Sequence, residues 1–253
     1  MISTPQKLST FLKQKVNSST WLQDFLRQAR ARQCLLCAGT HQDPCGFCLD
    51  CQADLPWLQH GCRLCGVPLP WPDASLCASC MQQPPSFDRC EGLFHYAFPV
   101  QEMLAELKFR RKIWYAPPLG ELIVRHLKAR PAPSHLDLVV PTPMHSSRLR
   151  ERGFNQALEL AKRVSRGCGI ALDHRLLAKV RATAPQSSLS ARERATNLRR
   201  SYRAHGRIEG TRVLLIDDIV TTGHTADELS RVLKQAGASY VEVLCVARTP
   251  PGR

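Results

Sequence analysis

The sequence predicts an α/β protein in which a domain with a mainly parallel sheet follows a small cysteine-rich module. Two observations predict this fold class. After about residue 90, short apolar strands alternate with amphipathic helices, which is typical of a parallel sheet. Before residue 90, cysteines stand in C-x-x-C pairs within a segment rich in Pro and Gly. A chain of 253 residues that is 43% hydrophobic suffices for one domain with a core and one smaller module.

The chain divides by these patterns into three segments. Residues 1–33 predict an amphipathic helical segment that packs on its own domain, with a membrane-surface or partner helix as the alternative. Residues 34–90 form the cysteine-rich module and residues 91–253 the sheet domain. No apolar run approaches the roughly 20 residues that span a bilayer, and lysines interrupt every candidate secretory signal. We therefore expect a cytoplasmic protein, with peripheral association at the inner membrane as a further location.

Helices are predicted where apolar residues recur every three or four positions. This spacing is found at 99–110, at 119–127 behind two prolines, and at 156–166. A fourth helix follows residue 225. We expect it to end at Gly237, because glycine readily adopts the left-handed conformation that terminates helices.

Strands are predicted where short apolar runs are bounded by turn residues. Residues 136–140 form such a run, which Pro141 ends. Residues 213–216 are continuously apolar, as in strands buried on both faces of a parallel sheet. A further strand at 240–246 completes one βαβ unit with the helix between them.

The cysteine pairs predict two structural zinc sites. Thiolates two residues apart can face one cation, and two pairs complete the tetrahedral four-sulfur set that Zn²⁺ accepts. We assign one zinc to the first two pairs and one to the last two, as duplicated zinc ribbons, because the gaps within the two sets are nearly equal. The predicted ligands are Cys34, Cys37, Cys48, Cys51, Cys62, Cys65, Cys77 and Cys80. Cys45 forms a further C-x-x-C with Cys48 and leaves an alternative second knuckle open.

Glycines follow two of these pairs closely. Gly39 comes two residues after Cys37, and Gly66 comes directly after Cys65. Both glycines are expected to adopt a positive φ, which the tight turn of a metal knuckle often needs.

The second candidate site is the segment 213–225, VLLIDDIVTTGHT. It places Asp217 and Asp218 at the carboxyl end of a buried strand, the edge where open α/β sheets bind ligands. The following residues offer hydroxyls, backbone N–H groups and a glycine before a helix, as a phosphate site requires. These residues are Thr221, Thr222, Gly223, His224 and Thr225. A sugar phosphate suits both parts, since carboxylates accept hydrogen bonds from sugar hydroxyls, directly or through a divalent ion. Thr225 also begins the pattern T-A-D-E of a capping box, so we expect it to cap the helix as well.

The same thirteen residues resemble the phosphoribosyl-pyrophosphate (PRPP) signature of type I phosphoribosyltransferases. Segments 107–111, 139–157 and 184–199, together with the cysteine pairs, resemble the ComF/GntX family of competence-associated proteins. This resemblance covers the chain from Cys34 to Thr249. It implies a type I phosphoribosyltransferase-like parallel sheet with helices on both faces, preceded by a zinc-ribbon module. It further implies PRPP binding with Mg²⁺, participation in DNA uptake during natural transformation, and competence proteins as partners.

The resemblance also implies roles for individual residues. Asp217 and Asp218 would hold the ribose hydroxyls, the loop 221–225 the 5′-phosphate, and the loop 142–147 would lie near the pyrophosphate. Because departing pyrophosphate leaves an oxocarbenium-like sugar, catalysis would rest on positioning and on neutralising charge. The candidate cations are Lys108, Arg148, Arg150 and Arg152. The basic segment 175–212 would be a mobile cover over the site, with an exposed basic helix at 191–200 as the alternative.

Two classes of function remain open. The first is a phosphoribosyltransferase that acts on an unidentified acceptor, and the second is a non-catalytic protein that handles single-stranded DNA and retains the sugar-phosphate site. The formal net charge of +14 favours polyanionic partners. An aromatic content of 6% is a weak signal for base stacking. The sequence argues against a P-loop enzyme, because no G-x-x-x-x-G-K-[ST] occurs in the chain.

Overall fold

The computed structural model describes residues 32–71, 73–130, 135–180 and 201–250. They fall into two compact units that divide after Ala53. In the first unit, strands β1 (Arg32–Gln33) and β2 (Thr40–His41) pair antiparallel and precede helix α1 (Leu49–Ala53). The predicted amphipathic segment lies outside the described residues except for its last two, which form β1.

The second unit is built around a parallel sheet of five strands, as the sequence predicts. The sheet contains β3 (Arg89–His95), β4 (Leu138–Pro141), β5 (Ala171–Leu172), β8 (Arg212–Val220) and β9 (Tyr240–Arg248). Their order in space is β3-β9-β8-β4-β5, and every neighbouring pair is parallel. Strands β6 (Leu177–Lys179) and β7 (Tyr202–Ala204) pair antiparallel in a separate ribbon. This ribbon carries the ends of the segment 181–200, which lies outside the described residues.

Six helices and one 3₁₀ turn accompany this sheet in the described part of the second unit. They are α2 (Ala78–Gln82), α3 (Val100–Phe109), the 3₁₀ turn Ile113–Tyr115, α4 (Ala116–Lys128), α5 (Ser146–Arg152), α6 (Gln156–Cys168) and α7 (His224–Gln235). Helices α3, α4, α6 and α7 are those that the apolar spacing predicts. None of the helices in the described ranges is both long and apolar enough to cross a bilayer.

The helices cover both faces of the sheet because the central strands are apolar on both sides. Val213 and Leu215 of β8 point into a core shared with Leu229 of α7. Successive residues of a strand face opposite ways, so Leu214 and Ile216, also fully buried, belong to the other face. The continuous apolar run that predicted this strand is therefore explained by its two buried faces.

Strand β8 extends beyond the predicted residues 213–216. It pairs with β9 from Arg212↔Tyr240 to Val220↔Arg248, whereas β4 ends opposite Ile216. The acidic pair was predicted to follow the strand and instead lies within it. At the acidic pair β8 is paired with β9 on one side only, because β4 has already ended on the other side. This opening, which results from the short β4, leaves space for a ligand beside Asp217 and Asp218.

Strand β3 and helix α5 are not among the predicted elements. In β3, at the edge of the sheet, the polar residues Arg89, Glu91 and His95 are interspersed with apolar ones, and the first two residues of the strand belong to the segment assigned to the cysteine-rich module. Helix α5 has a single apolar side chain of any size, Leu149, and it is exposed. A short helix without an apolar face gives no periodic signal.

Gly66 makes a close approach between the cysteine-rich segment and the sheet. Its φ is 64°, as expected, and a Cβ added there would lie 2.7 Å from the carbonyl oxygen of Cys90. In the first unit the corresponding expectation for Gly39 is wrong. There Ala38, directly after Cys37, adopts the left-handed conformation with a φ of 59°. The knuckle needs a positive φ at the residue that directly follows the cysteine.

Replacing Gly66 by Ala should destabilise the protein more than replacing Gly153, the C-cap of α5. Both positions have a positive φ, but nothing lies within 4 Å of a Cβ at Gly153. Gly153→Ala should cost about 1–2 kcal/mol for the left-handed backbone, and Gly66→Ala a further 1–3 kcal/mol, roughly, for overpacking. Thermal or denaturant unfolding of the zinc-loaded variants measures the difference, and equal losses would contradict the contact with Cys90.

Candidate functional site

Two groups of four cysteines come together in the structure. One consists of Cys34, Cys37, Cys48 and Cys51, the other of Cys62, Cys65, Cys77 and Cys80, and within each group the sulfur atoms lie within 4.8 Å of one another. This is the grouping that the equal gaps between the pairs predict. The alternative knuckle is not used, since the buried Cys45 thiol lies 3.6 Å from the carbonyl oxygen of Phe47.

The dimensions of both groups fit zinc. A Zn–S bond of about 2.3 Å in a tetrahedron places neighbouring sulfur atoms about 3.8 Å apart. The Sγ atoms of Cys37 and Cys48 are 3.7 Å apart, and those of Cys65 and Cys77 are 3.6 Å apart. Either group could therefore hold one Zn²⁺ with no position left for a substrate, which is the form of a structural site.

Backbone amides support the thiolate form of the buried cysteines. The N–H of Cys48 donates to Sγ of Cys34 at 3.4 Å, and the N–H of Cys77 donates to Sγ of Cys62 at 3.3 Å. Burial raises the pKa of these thiols, but the amide hydrogen bonds outweigh it. As a result the pKa of Cys34 falls to about 6 and that of Cys62 to about 7. Such hydrogen bonds also orient the ligands around a metal.

Arg248, the last residue of β9, joins the second cysteine group to the loop after β8. Its side chain is buried, and it donates from Nε to the carbonyl oxygen of Cys65 at 3.0 Å. Its Nη1 donates to the carbonyl oxygens of Val220, Thr221 and Thr249. One guanidinium thus holds a metal-ligand residue and the start of the predicted phosphate loop together.

A second contact joins the helix that follows this loop to the segment after α2. The carboxylate of Asp227, in the first turn of α7, accepts a hydrogen bond of 2.6 Å from the N–H of Ser86 in the linker that follows α2. The linker begins a few residues after the last cysteine of the second group. The position of the loop therefore depends on the folded state of this cysteine group.

The carboxylates of Asp217 and Asp218 lie close to each other and line one pocket. The Oδ2 atom of Asp218 lies 3.1 Å from the ammonium of Lys108 in α3. The two carboxylates also cap neighbouring backbone groups: the N–H of Asp218 donates to Asp217 and that of Ile219 to Asp218. The predicted cation Lys108 thus neutralises one member of the pair.

A pocket of about 210 Å³ gathers most of the predicted sugar-phosphate residues. The residues that it brings together are Lys108, Arg148, Arg152, Asp217, Asp218 and Thr225, with Thr142 from the predicted pyrophosphate loop. Arg150 of α5 is exposed and does not line it. The pocket therefore combines two carboxylates with three of the four predicted cations.

The remaining loop residues face elsewhere. Thr221, Thr222, Gly223 and His224 line a different pocket of about 690 Å³, together with Cys65, Cys77 and Arg248. Only Thr225 of the predicted phosphate loop lines the smaller pocket. The structure thus divides the predicted binding residues between two adjoining cavities on either side of the loop.

The predicted capping box is wrong. Helix α7 begins at His224, its N-cap is Gly223 with a φ of 83°, and no side chain caps it. Glu228 forms an ion pair of 2.6 Å with Arg231 instead of reaching back to the helix start. Because Thr225 lies inside the first turn, its hydroxyl contacts the Tyr202 side chain rather than capping the helix. With the left-handed Gly223 as N-cap, the helix begins two residues earlier than the sequence pattern suggests.

Four further residues of the smaller pocket lie in segments that the sequence singled out, but were not assigned a role as individual residues. Lys179 and Tyr202 come from the β6–β7 ribbon, and the ammonium of Lys179 lies 5.3 Å from the ring centre of Tyr202. Gln156 is buried with its Nε2 unpaired, and His145 caps α5. A buried amide aimed into a polar pocket is a donor available to a ligand. Lys179 and Tyr202 are distant in the chain from His145 and Gln156, so the fold brings the four together.

The electrostatics of the pocket are uneven. Burial, followed by the neighbouring Asp218, raises the pKa of Asp217 to about 8. Burial also lowers the pKa of Lys179, with a further lowering by Arg148. Clustered like charges in a half-enclosed space are destabilising unless a ligand of opposite charge neutralises them. The cationic side of the pocket suits an anion, and the carboxylate side suits hydroxyls or a divalent cation.

The fold and this site define a class of protein, a phosphoribosyltransferase-type domain combined with four-cysteine clusters. The Phosphoribosyl transferase domain family matches residues 152–253. Among solved structures, a purine phosphoribosyltransferase from Pyrococcus horikoshii is 18% identical, covers 53% of this chain and 73% of its own, and has a TM-score of 0.34.

Curated relatives extend over most of the chain. The DNA utilization protein YhgH of Salmonella typhi is 35% identical over 210 residues, which cover 81% of this chain and 91% of that protein. Competence protein F of Haemophilus influenzae is 30% identical over 223 residues, covering 85% and 96%. The chain therefore belongs to the family of these proteins, the ComF/GntX family.

Loss of the second cysteine group should loosen the loop 221–225, whereas loss of the first should not. Cys77→Ser and Cys48→Ser form a matched pair, because each removes the first cysteine of the second knuckle in its group. Both should lower the zinc content of the chain, but only Cys77→Ser should speed hydrogen exchange of the loop amides. Equal exchange in the two variants would contradict the link through Arg248.

Asp217→Asn should stabilise the protein increasingly as the pH rises from 5 to 8. The folded-state pKa of Asp217 is raised above its unfolded value of about 4. The folded protein therefore binds a proton that the unfolded chain releases in this window, and wild-type stability falls by about 1.4 kcal/mol per unit of pKa difference. The melting-temperature gap between variant and wild type should be near zero at pH 4 and largest above pH 8. The exposed Asp54→Asn is the control, and a flat gap for Asp217→Asn would contradict the raised pKa.

Proposed function

We propose that the chain binds PRPP with Mg²⁺ in the smaller pocket and takes part in DNA uptake during natural transformation. The observation that carries the first part is the grouping of Asp217 and Asp218 with Lys108, Arg148 and Arg152 in one cavity. The names of the relatives, DNA utilization protein and Competence protein F, support the second part.

The two sides of the pocket match the two parts of such a ligand. Asp217 and Asp218 can accept hydrogen bonds from ribose hydroxyls, and Arg148 and Arg152 can bind phosphoryl oxygens. The ion pair between Lys108 and Asp218 holds this lysine at the boundary between the two sides. When the ligand enters, Lys108 can shift from the carboxylate toward a phosphoryl oxygen while the sugar hydroxyls replace it.

The donor set also fits Mg²⁺. This ion prefers oxygen ligands and is usually bound by one or two carboxylates together with substrate phosphates. Asp217 and Asp218 supply the carboxylates, and a bound Mg²⁺ would neutralise part of the pyrophosphate charge. It would also favour the ionised form of Asp217, against the burial that raises its pKa.

The reaction that this arrangement supports is phosphoribosyl transfer to an acceptor. Loss of pyrophosphate builds negative charge on the leaving group, which Arg148, Arg152 and Lys108 would stabilise from fixed positions. Lys179 and Tyr202 of the β6–β7 ribbon line the same pocket, and their cation and hydroxyl are available to the ligand.

The second candidate function is handling of single-stranded DNA without catalysis. The net charge of +14 and the names of the relatives, DNA utilization protein and Competence protein F, favour it. In this function the pocket would bind a sugar phosphate or a strand terminus without breaking a bond.

Calorimetry with PRPP in the presence of Mg²⁺ tests the site. Wild type should show saturable binding, and Asp217→Asn/Asp218→Asn should weaken it at least tenfold, since the ribose hydroxyls and the ion lose their charged acceptors. Asp54→Asn should bind as wild type does. Undiminished binding by the double variant would refute the site assignment, and absence of saturable binding to wild type would refute PRPP as the ligand.

A further inference from the structure

An exposed surface of rings and cations borders the smaller pocket. Two large rings lie open to solvent near the end of α3 and in the following 3₁₀ turn: Phe109 is 75% exposed and Trp114 is 54% exposed. Cations stand beside both rings. The guanidinium of Arg152 lies 5.8 Å from the ring centre of Phe109, and the ammonium of Lys112 lies 5.9 Å from that of Trp114. We call Phe109, Arg111, Lys112, Trp114, Arg150 and Arg152 the basic aromatic surface.

This surface is held in place by specific contacts. The ammonium of Lys112 forms an ion pair of 2.7 Å with Glu106 of α3. Arg111 adopts a φ of 56°, which is unfavourable for a residue with a side chain, and its Nη2 donates to the carbonyl oxygen of Glu151 in α5 at 2.5 Å. Backbone strain of this kind persists where surrounding contacts fix it, and it is concentrated at functional sites. The contact ties the turn that carries Trp114 to the helix that carries Arg150 and Arg152.

The chemistry of the surface indicates its partner. Arginine and lysine bind phosphates, and exposed aromatic rings stack with unpaired bases. In this surface each of the two rings has a cation within 6 Å of its centre. An interfacial membrane helix differs from this arrangement, because its apolar and basic residues occupy opposite faces of one long helix. Here the rings lie directly beside cations, and the residues come from a turn and two helices.

We propose that the basic aromatic surface binds single-stranded nucleic acid. Phe109 and Trp114 stack with bases, and Arg111, Arg150 and Arg152 bind the backbone. The proposal rests on the DNA-handling role suggested above and does not require PRPP to be a ligand. It also assigns a position that the sequence did not indicate, since the low aromatic content of the chain was a weak signal for base stacking.

The surface is continuous with the smaller pocket. Arg152 both lines that pocket and covers Phe109. A strand lying across the two rings would therefore lead toward the carboxylates Asp217 and Asp218, which can accept hydrogen bonds from a sugar. The geometry suits a strand whose terminal sugar phosphate enters the pocket.

Fluorescence anisotropy with a labelled 20-nucleotide oligo(dT) tests the proposal on the full chain. Phe109→Ala/Trp114→Ala should weaken binding at least tenfold, since stacking is worth roughly 1–3 kcal/mol per base. The matched control is Phe98→Ala, because Phe98 is 73% exposed but lies before the opposite end of α3. It should bind as wild type does. Arg150→Gln should reduce the dependence of affinity on salt while leaving the ring contribution intact.

Several outcomes would overturn the proposal. Equal affinities of the ring variant and the Phe98 control would show that the rings do not contact the strand. If the ring variant lost binding to vesicles of anionic phospholipid but still bound the oligonucleotide as wild type does, the surface would be a membrane-binding one instead. Calorimetry with PRPP separates this failure from failure of the pocket assignment, since the ring variant should retain PRPP binding. Thermal unfolding checks its fold, and Arg150→Gln gives an independent test should the ring variant unfold.

Discussion

The buried guanidinium of Arg248 is the contact on which the arrangement of the second unit depends. An uncompensated buried charge is costly, but four carbonyl oxygens surround this one, from Cys65, Val220, Thr221 and Thr249. These carbonyls come from the metal knuckle, from the end of β8 and from the residue after β9. The backbone leaves room for the side chain at Gly92, where an added Cβ would lie 2.7 Å from the Cβ of Arg248. The second cysteine group and the start of the loop 221–225 are thus both hydrogen-bonded to Arg248.

This support explains why a closed metal site accompanies a binding domain. A four-thiolate site has no open position, so zinc there cannot act on a substrate. Its contribution is to fold a short segment that has little core of its own, chiefly Cys62, Val67 and Cys80. Through Arg248 and through the Ser86–Asp227 hydrogen bond, that folded segment limits the conformations of the loop 221–225. The metal would therefore influence ligand binding by positioning.

The acidic pair lies where strand β8 has a neighbouring strand on one side only. Because β4 ends opposite Ile216, the following residues of β8 keep only β9 as a neighbour. Asp218 forms an ion pair with Lys108, while burial and the neighbouring Asp218 raise the pKa of Asp217. The pair can accept a sugar or a divalent cation, but its charge depends on what occupies the pocket. At the edge of the pocket, Arg152 of α5 lies beside the exposed ring of Phe109.

The sequence by itself determined the parallel sheet, its four main helices and the two groups of four cysteines. These features depend on local spacing: apolar periods, continuous apolar strands and equal gaps between C-x-x-C pairs. It also indicated the acidic pair, which stands in one motif, and the candidate cations, which the family resemblance of segments 107–111 and 139–157 implied. The capping box failed because Gly223 adopts a left-handed conformation and begins the helix before Thr225.

Only the tertiary structure decided which of these residues meet. Lys108, Lys179 and Asp218 are far apart in the chain, and no local pattern records that α3, the β6–β7 ribbon and β8 converge on one pocket. The division of the loop between two cavities depends on where β4 ends and on the contacts of Arg248, which are set by pairing and burial over long sequence separations. The same holds for Phe109 and Arg152, whose contact exists because α3 and α5 pack at the edge of that pocket.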